Sequence, residues 1–161
     1  MHFDMEKIYG ADGRQDSLVK VGSSYYLYYG FGKDSDDAEH GYNYRHRFDH
    51  KPSMEEIKAV VLEAIEMDTK DRIENGLSYD GCKVTLTVEN QLNYAIFKDI
   101  LGEGSESLIV KVTDADGNDK AVTFSSDTYD TFYAAVRTHI KNCMQRCWKE
   151  KTELDLSVFT S

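Results

Sequence analysis

Apolar residues recur in this chain at two spacings, and the changes between them mark out short strands and longer helices. Residues 17–21 and 25–31 are β-prone runs separated by Gly22-Ser23-Ser24, which reads as a hairpin connection. Tyr42, Tyr44, His46 and Phe48 then alternate with Asn43, Arg45 and Arg47, the period of two expected of a strand with one aromatic face. Pro52 is the single proline, and beyond it the spacing turns helical. Ser53-Met54-Glu55-Glu56 is a capping box: the Ser53 hydroxyl can accept from the Glu56 amide while the Glu56 carboxylate reaches back to the Ser53 amide. Ile57, Val60, Val61, Ala64 and Ile65 follow on one face of a first helix, expected to fray or turn between Asp68 and Asn75 and to stop at Gly76.

Residues 77–79 and 82–86 flank Asp80-Gly81, a two-residue turn whose positive φ angles these residues tolerate. A second helix is expected from Thr87 to about Leu101, with Val88, Leu92, Ile96, Phe97 and Ile100 as its apolar face and Gly102 closing it. Another hairpin should join 107–113 to 120–124 across residues 114–118. The longest helix should run from about 126 to 149, its apolar face passing through Tyr129, Phe132, Tyr133, Val136, Ile140, Cys143, Met144 and Cys147. Residues 154–159 read as a short strand or a docked tail. Hairpins alternating with helices predict an α+β fold: an antiparallel or mixed sheet built from hairpins, with three helices. Residues 1–51 are expected to form a Tyr-rich β segment packed on the rest, and 52–161 an α+β core module.

Composition narrows the function. A chain of 161 residues that is 40% hydrophobic and 12% aromatic can bury a sizeable core. The 19 Lys+Arg against 29 Asp+Glu give a net charge of −10, which argues against binding nucleic-acid phosphates or an anionic membrane. The first nine residues mix charged and apolar side chains without the apolar centre of an export signal, and no apolar run of about 18 residues occurs. Three cysteines are an odd number, so reduced, buried thiols are expected rather than a disulfide framework.

No motif declares a reaction. His139, Cys143 and Cys147 lie along one helix face, but the first and last are about 12 Å apart, too far to share one ion. Residues 114–119 resemble the start of a calcium loop, yet Gly117 and Ser125 occupy the wrong places, and a hairpin turn is the simpler reading. His46 and His50 are roughly 13 Å apart along a strand, too far for one ion, and His40 is farther still in sequence. Gly102-Glu103-Gly104 lacks the third glycine of a dinucleotide fingerprint and follows a helix. Glu89, Asn90 and Gln91 occupy a first helical turn, where capping and bonds to the preceding hairpin suit them. No metal, cofactor or catalytic group is therefore expected.

The uneven feature is aromatic. Seven of the 11 tyrosines (Tyr9, Tyr25, Tyr26, Tyr28, Tyr29, Tyr42 and Tyr44) precede Pro52. In Tyr25-Tyr26-Leu27-Tyr28-Tyr29 the rings fall on both faces of a strand, so they cannot all enter one core. Core packing, a partner or subunit contact, and sugar stacking are the three roles open to them. Tyr25, Tyr26, Tyr28, Tyr29, Tyr42 and Tyr44 are the candidate partner-binding residues.

The stretches at 25–33 (YYLYYGFGK), 44–56 (YRHRFDHKPSMEE), 89–94 (ENQLNY) and 148–151 (WKEK), in this order, resemble a family of small, functionally uncharacterised proteins. These are encoded by phages and prophages of gut Bacteroides-type bacteria, often near virion structural genes. The chain departs from the family where Trp is usual in the hairpin, with Tyr79 and Thr85 there instead, and carries Cys147 where Gly commonly precedes Trp148. It resembles a divergent member, and no activity comes with the likeness. The missing catalytic constellation, the aromatic density before Pro52 and the resemblance together point to a non-enzymatic, virion-associated structural or assembly accessory protein that binds phage tail or head components or itself. Such a protein would reside in the host cytoplasm during assembly or in the virion. The alternative is an acidic antagonist of a host factor, for which residues 34–39 supply the dense carboxylates; an enzyme acting on cell-wall sugar ranks third.

Overall fold

The computed structural model describes residues 4–35, 38–103 and 107–160. Four strands come first: β1 (Glu6–Ala11), β2 (Ser17–Val21), β3 (Ser24–Gly32) and β4 (Gly41–Phe48). Helix α1 (Met54–Asn75) leads to β5 (Leu77–Tyr79) and β6 (Cys82–Val84), then α2 (Val88–Gly102), β7 (Leu108–Thr113), β8 (Asp119–Phe124) and α3 (Ser126–Thr152). A 3-10 turn, Leu156–Phe159, follows and buries Phe159, so the end of the chain is the expected docked tail and not a strand. The fold is α+β, built from hairpins, but the strands form two antiparallel four-stranded sheets rather than one: β1-β4-β3-β2 and β5-β6-β7-β8. Among the described residues no helix is long and apolar enough to cross a membrane.

The chain divides into two units, and not at Pro52. One comprises the described parts of Met1–Asp68 and Cys147–Ser161, the other Thr69–Arg146. The reason lies in the first apolar face of α1. Ile57, Val60, Val61, Ala64 and Ile65 share one core with Leu27, Tyr29, Tyr42, Tyr44 and Phe48, so the first turns of α1 belong with the Tyr-rich strands. Cys147 and Phe159 complete that core from the far end of the sequence. Each large apolar side chain fully buried there contributes roughly 1.5–3 kcal/mol. Strand β1, absent from the sequence reading, pairs with β4 through a register shift between Tyr9 and Ala11.

The capping box starts α1 as expected: the Ser53 amide donates to Glu56 Oε1 at 3.0 Å and the Glu56 amide to Ser53 Oγ at 3.2 Å. His50 joins it, with Nδ1 2.6 Å from Asp49 and Nε2 2.8 Å from Glu56. The helix then continues through residues 68–75 without fraying. Its last carbonyls find tertiary donors, because the Leu86 amide donates to Glu74 O at 2.9 Å and His139 Nε2 to Arg72 O at 2.8 Å.

The second unit packs Leu77, Val84, Leu86, Tyr94, Val110, Val112 and Phe124 around Tyr129, Phe132 and Val136 of α3. Tyr129 donates its hydroxyl to the Tyr94 carbonyl at 2.5 Å. The Asp80-Gly81 turn has φ of 50° and 75° at its two central residues, the left-handed values anticipated for this hairpin. Helix α2 meets the expectation only in part: Phe97 packs partly buried against the core, but Val88, Leu92 and Ile96 are 78%, 62% and 45% exposed, and Tyr94 and Leu101 are the buried residues. Tyr94 and Leu101 lie i, i+7 on the face toward the sheet, and the aliphatic stripe has rotated outward.

Two outcomes are expected. Val136→Asp, placing a carboxylate at a site 1% exposed, should cost on the order of 4 kcal/mol and abolish or strongly lower the thermal transition followed by circular dichroism. An unchanged melting temperature would contradict this core. His50 has its pKa raised above the ordinary histidine value by hydrogen bonds to Asp49 and then Glu56. The Glu56 carboxyl is lowered by the Ser53 amide and then by His50, and Asp49 is lowered by His50. The histidine's contribution is complete below its unfolded pKa and fades as pH rises through the raised value. That of the carboxylates is present above their unfolded values and fades as pH falls. The triad is thus strongest in the window between them, and NMR titration should show the His50 midpoint falling in Glu56→Gln.

Candidate interaction surface

Antiparallel pairing of β3 with β4 sorts the tyrosines by face. Tyr25 stands opposite Phe48, Leu27 opposite His46 and Tyr29 opposite Tyr44, which sets these side chains on the α1 side. Tyr26 stands opposite Arg47 and Tyr28 opposite Arg45, which sets these on the other side. Of the six candidate tyrosines, Tyr29, Tyr42 and Tyr44 are therefore core residues, Tyr44 being completely buried. Tyr25 packs partly buried against the same core. Tyr26 and Tyr28 remain, half-exposed, on the outer face.

That outer face carries chemistry of its own. The Arg45 guanidinium lies 5.0 Å from the centre of the Tyr26 ring, within cation–π range. Its Nη2 donates to Glu6 Oε2 at 2.6 Å, and hydrogen bonds to Glu6 and then Tyr28 raise its pKa. Arg47 donates from Nε to Ser24 Oγ at 3.1 Å, is exposed, and makes no ion pair among the described residues. Val19, opposite Tyr26 on β2, and Val21 beside it extend the patch with exposed aliphatic surface. Two guanidinium groups, two phenols and two valines thus share one solvent-facing sheet surface in a chain of net charge −10.

Loop residues close the opposite end of this face. Asn43, buried on β4, donates from Nδ2 to Gly13 O at 3.0 Å and Gly30 O at 2.6 Å. Asp16 Oδ1 accepts from the Gly30 amide at 2.9 Å. Arg45 and Arg47 were not among the sequence candidates, although the alternation that exposed the aromatic face also defined theirs. The missing step was register, which shows that the aromatic face of β4 is the inner one.

The other candidates have structural partners. His139 lies 3.8 Å from Cys143 Sγ, with its Nε2 already bonded to Arg72 O. Cys82, Cys143 and Cys147 are buried and not joined in disulfides, and among the described residues no three metal-binding side chains cluster. His40 Nδ1 meets Asp12 at 2.7 Å and His46 Nδ1 meets Asp4 O at 2.8 Å. Asp114 is a turn residue, its Oδ1 accepting from the Asp116 and Asn118 amides at 3.0 and 2.9 Å. Asn90 and Gln91 donate to the Thr85 and Leu86 carbonyls, each at 2.9 Å, joining helix to hairpin as anticipated. Asp36 and Asp37 of the acidic loop, Gly104, and residues 1–3 lie outside the described residues.

Asn43→Ala removes the shared donor of the Gly13 and Gly30 carbonyls and should cost about 1–3 kcal/mol. The melting temperature should fall by about 2–12 °C. Asn43→Asp should behave alike, because a carboxylate has no hydrogen to donate.

No protein-family model matches the chain, and comparison with curated proteins and with solved structures likewise finds no match.

Proposed function

We propose that the chain is a non-enzymatic, virion-associated accessory protein of a phage or prophage, and that it binds a tail or head component through the outer face of the β1-β4-β3-β2 sheet. The observation that carries the binding role is the outward set Tyr26, Tyr28, Arg45 and Arg47. Tyrosine and arginine are the residue types that dominate protein interfaces, since each buries a large, stiff or planar surface and still satisfies polar partners. The Arg45 stack on Tyr26 holds both groups in place before contact, which lowers the ordering cost of binding. The histidines of the described chain are engaged in bonds that cap or tie down elements, in keeping with a binding rather than a chemical role. The phage context rests on the resemblance at 25–33, 44–56, 89–94 and 148–151.

The test is a photo-crosslinking residue at position 26 in infected or induced cells, with Tyr26→Ser/Tyr28→Ser and Arg47→Glu as variants. A cross-link to a morphogenesis protein is expected, with binding about tenfold weaker in each variant and the fold retained. Tyr44→Ser, a core change, should instead lose the fold. Purified particles that lack the chain, with no cross-link to any morphogenesis protein, would overturn the proposal.

A further inference from the structure

The second sheet contains an interrupted ladder. Strands β6 and β7 pair at a single position, Lys83 opposite Thr113, although β7 runs on for five more residues to Leu108. Continuing the antiparallel register would set Thr85 opposite Lys111. The chain instead turns into α2, and Asn90 Nδ2 takes the Thr85 carbonyl that the next rung would have used.

Which main-chain groups this leaves open follows from the turn. The Asp114 amide donates to Asn118 O at 2.8 Å, so Asp114 points toward β8. With Leu108 opposite Phe124 and Thr113 opposite Asp119, residues 108, 110 and 112 also point toward β8, by the alternation of an antiparallel strand. Residues 109, 111 and 113 point the other way. Thr113 meets Lys83, while the N–H and C=O of Ile109 and Lys111 face away from β8 with no strand paired to them.

They open on a cleft of about 420 Å³ walled on its other side by Asn90, Asn93 and Phe97 of α2. That size falls in the range of ligand-binding clefts. The Asn93 side chain makes no hydrogen bond among the described residues, and its amide carries both a donor and an acceptor. Ile109 is 69% exposed at the rim. Lys83, Lys111 and Asp119 are the charged residues of the lining; Lys111 pairs with Asp119 at 3.2 Å, whereas Lys83 makes no ion pair among the described residues.

We infer that this cleft binds an extended, acidic peptide segment of a partner protein, which adds as a strand to the free edge of β7 beside α2. Main-chain donors and acceptors two residues apart along a strand are matched by another extended backbone, whose own alternate residues present the same spacing. Asn93 offers an amide to the peptide's outer edge, Phe97 and Ile109 receive an apolar side chain, and Lys83 favours a carboxylate. The residues of this site belong to the second unit, whereas Tyr26 and Arg47 belong to the first.

The experiment is panning of a displayed random octapeptide library against the intact chain, followed by NMR of the enriched synthetic peptides on the full-length protein. Enriched peptides should be net acidic and should shift and protect from exchange the amides of Ile109 and Lys111. Lys111→Pro deletes a donor aimed into the cleft without removing a β7–β8 rung and should weaken binding about tenfold. Lys83→Glu, which leaves the backbone intact, should weaken the acidic peptides similarly if Lys111→Pro fails to fold. Tyr26→Ser/Tyr28→Ser should bind them unchanged. No enrichment, enrichment of basic peptides, or peptides that map to the first sheet or bind Lys83→Glu equally well would each overturn the proposal.

Discussion

The register between β3 and β4 decides what every aromatic residue of the first unit does. With Tyr29 opposite Tyr44, one face collects Leu27, Tyr29, Tyr42, Tyr44 and Phe48 against α1, and the other collects Tyr26, Tyr28, Arg45 and Arg47. A slip of one residue in a strand exchanges its two sets. For β4 that would drive Arg45 and Arg47 into the α1 core, where a guanidinium without a carboxylate partner is untenable. The alternation is therefore one-way, and local contacts lock it. The strands shift register between Tyr29 and Gly32, and a Cβ on Gly32 would lie 2.6 Å from the Tyr42 hydroxyl. Asn43 ties the same region to the Gly30 carbonyl at 2.6 Å.

Elements specified by nearby residues were legible in the sequence. The Ser53-Glu56 box, the Asp80-Gly81 turn and the Asp114 turn each depend on side chains within a turn or two of one another, and on α3 the helical spacing picks out the buried Tyr129, Phe132, Val136, Cys143 and Cys147, although Met144 of the same expected face is 39% exposed. What escaped depends on distant partners. The division of the chain follows from α1 packing on the Tyr-rich strands, and no composition shift at Pro52 reports that. The α1 helix persists past Asp68 because Leu86 and His139 supply donors to its end, residues far along the chain. On α2, Val88, Leu92 and Ile96 have helical spacing as good as Tyr94 and Leu101, so periodicity alone could not choose the buried face. Among the six tyrosines the alternation was legible, and the choice of inner face was not.

In the second unit, a contest between helix start and strand continuation determines how far the sheet extends. Thr87 caps α2 by accepting from the Asn90 amide at 3.1 Å, and the Asn90 side chain then reaches back to the Thr85 carbonyl. Both bonds favour a helix starting directly after β6, and both remove Thr85 from the ladder. Asn43 in the first sheet performs the related task of satisfying the Gly13 and Gly30 carbonyls where regular pairing is disturbed. Side-chain amides suit such places because they donate to a main-chain carbonyl and retain an oxygen for another partner. In one sheet the result is a closed end; in the other it is an open edge beside a helix.

The net charge of −10 fits this division of labour. Many acids are spent locally, on caps and turns: Glu56 at the start of α1, Asp114 in the β7–β8 turn, and Asp155, whose Oδ1 accepts from the Ser157 amide at 2.9 Å. Those carboxylates already have backbone donors, so they do little to define a binding surface. Cations that make no ion pair among the described residues then set the local chemistry, Arg47 on the first sheet and Lys83 on the second. A globally acidic chain that repels polyanions at long range can therefore still recognise single carboxylates at short range. Screening confines the global field to about 10 Å at ordinary ionic strength, whereas a desolvated guanidinium or ammonium at contact acts below that distance.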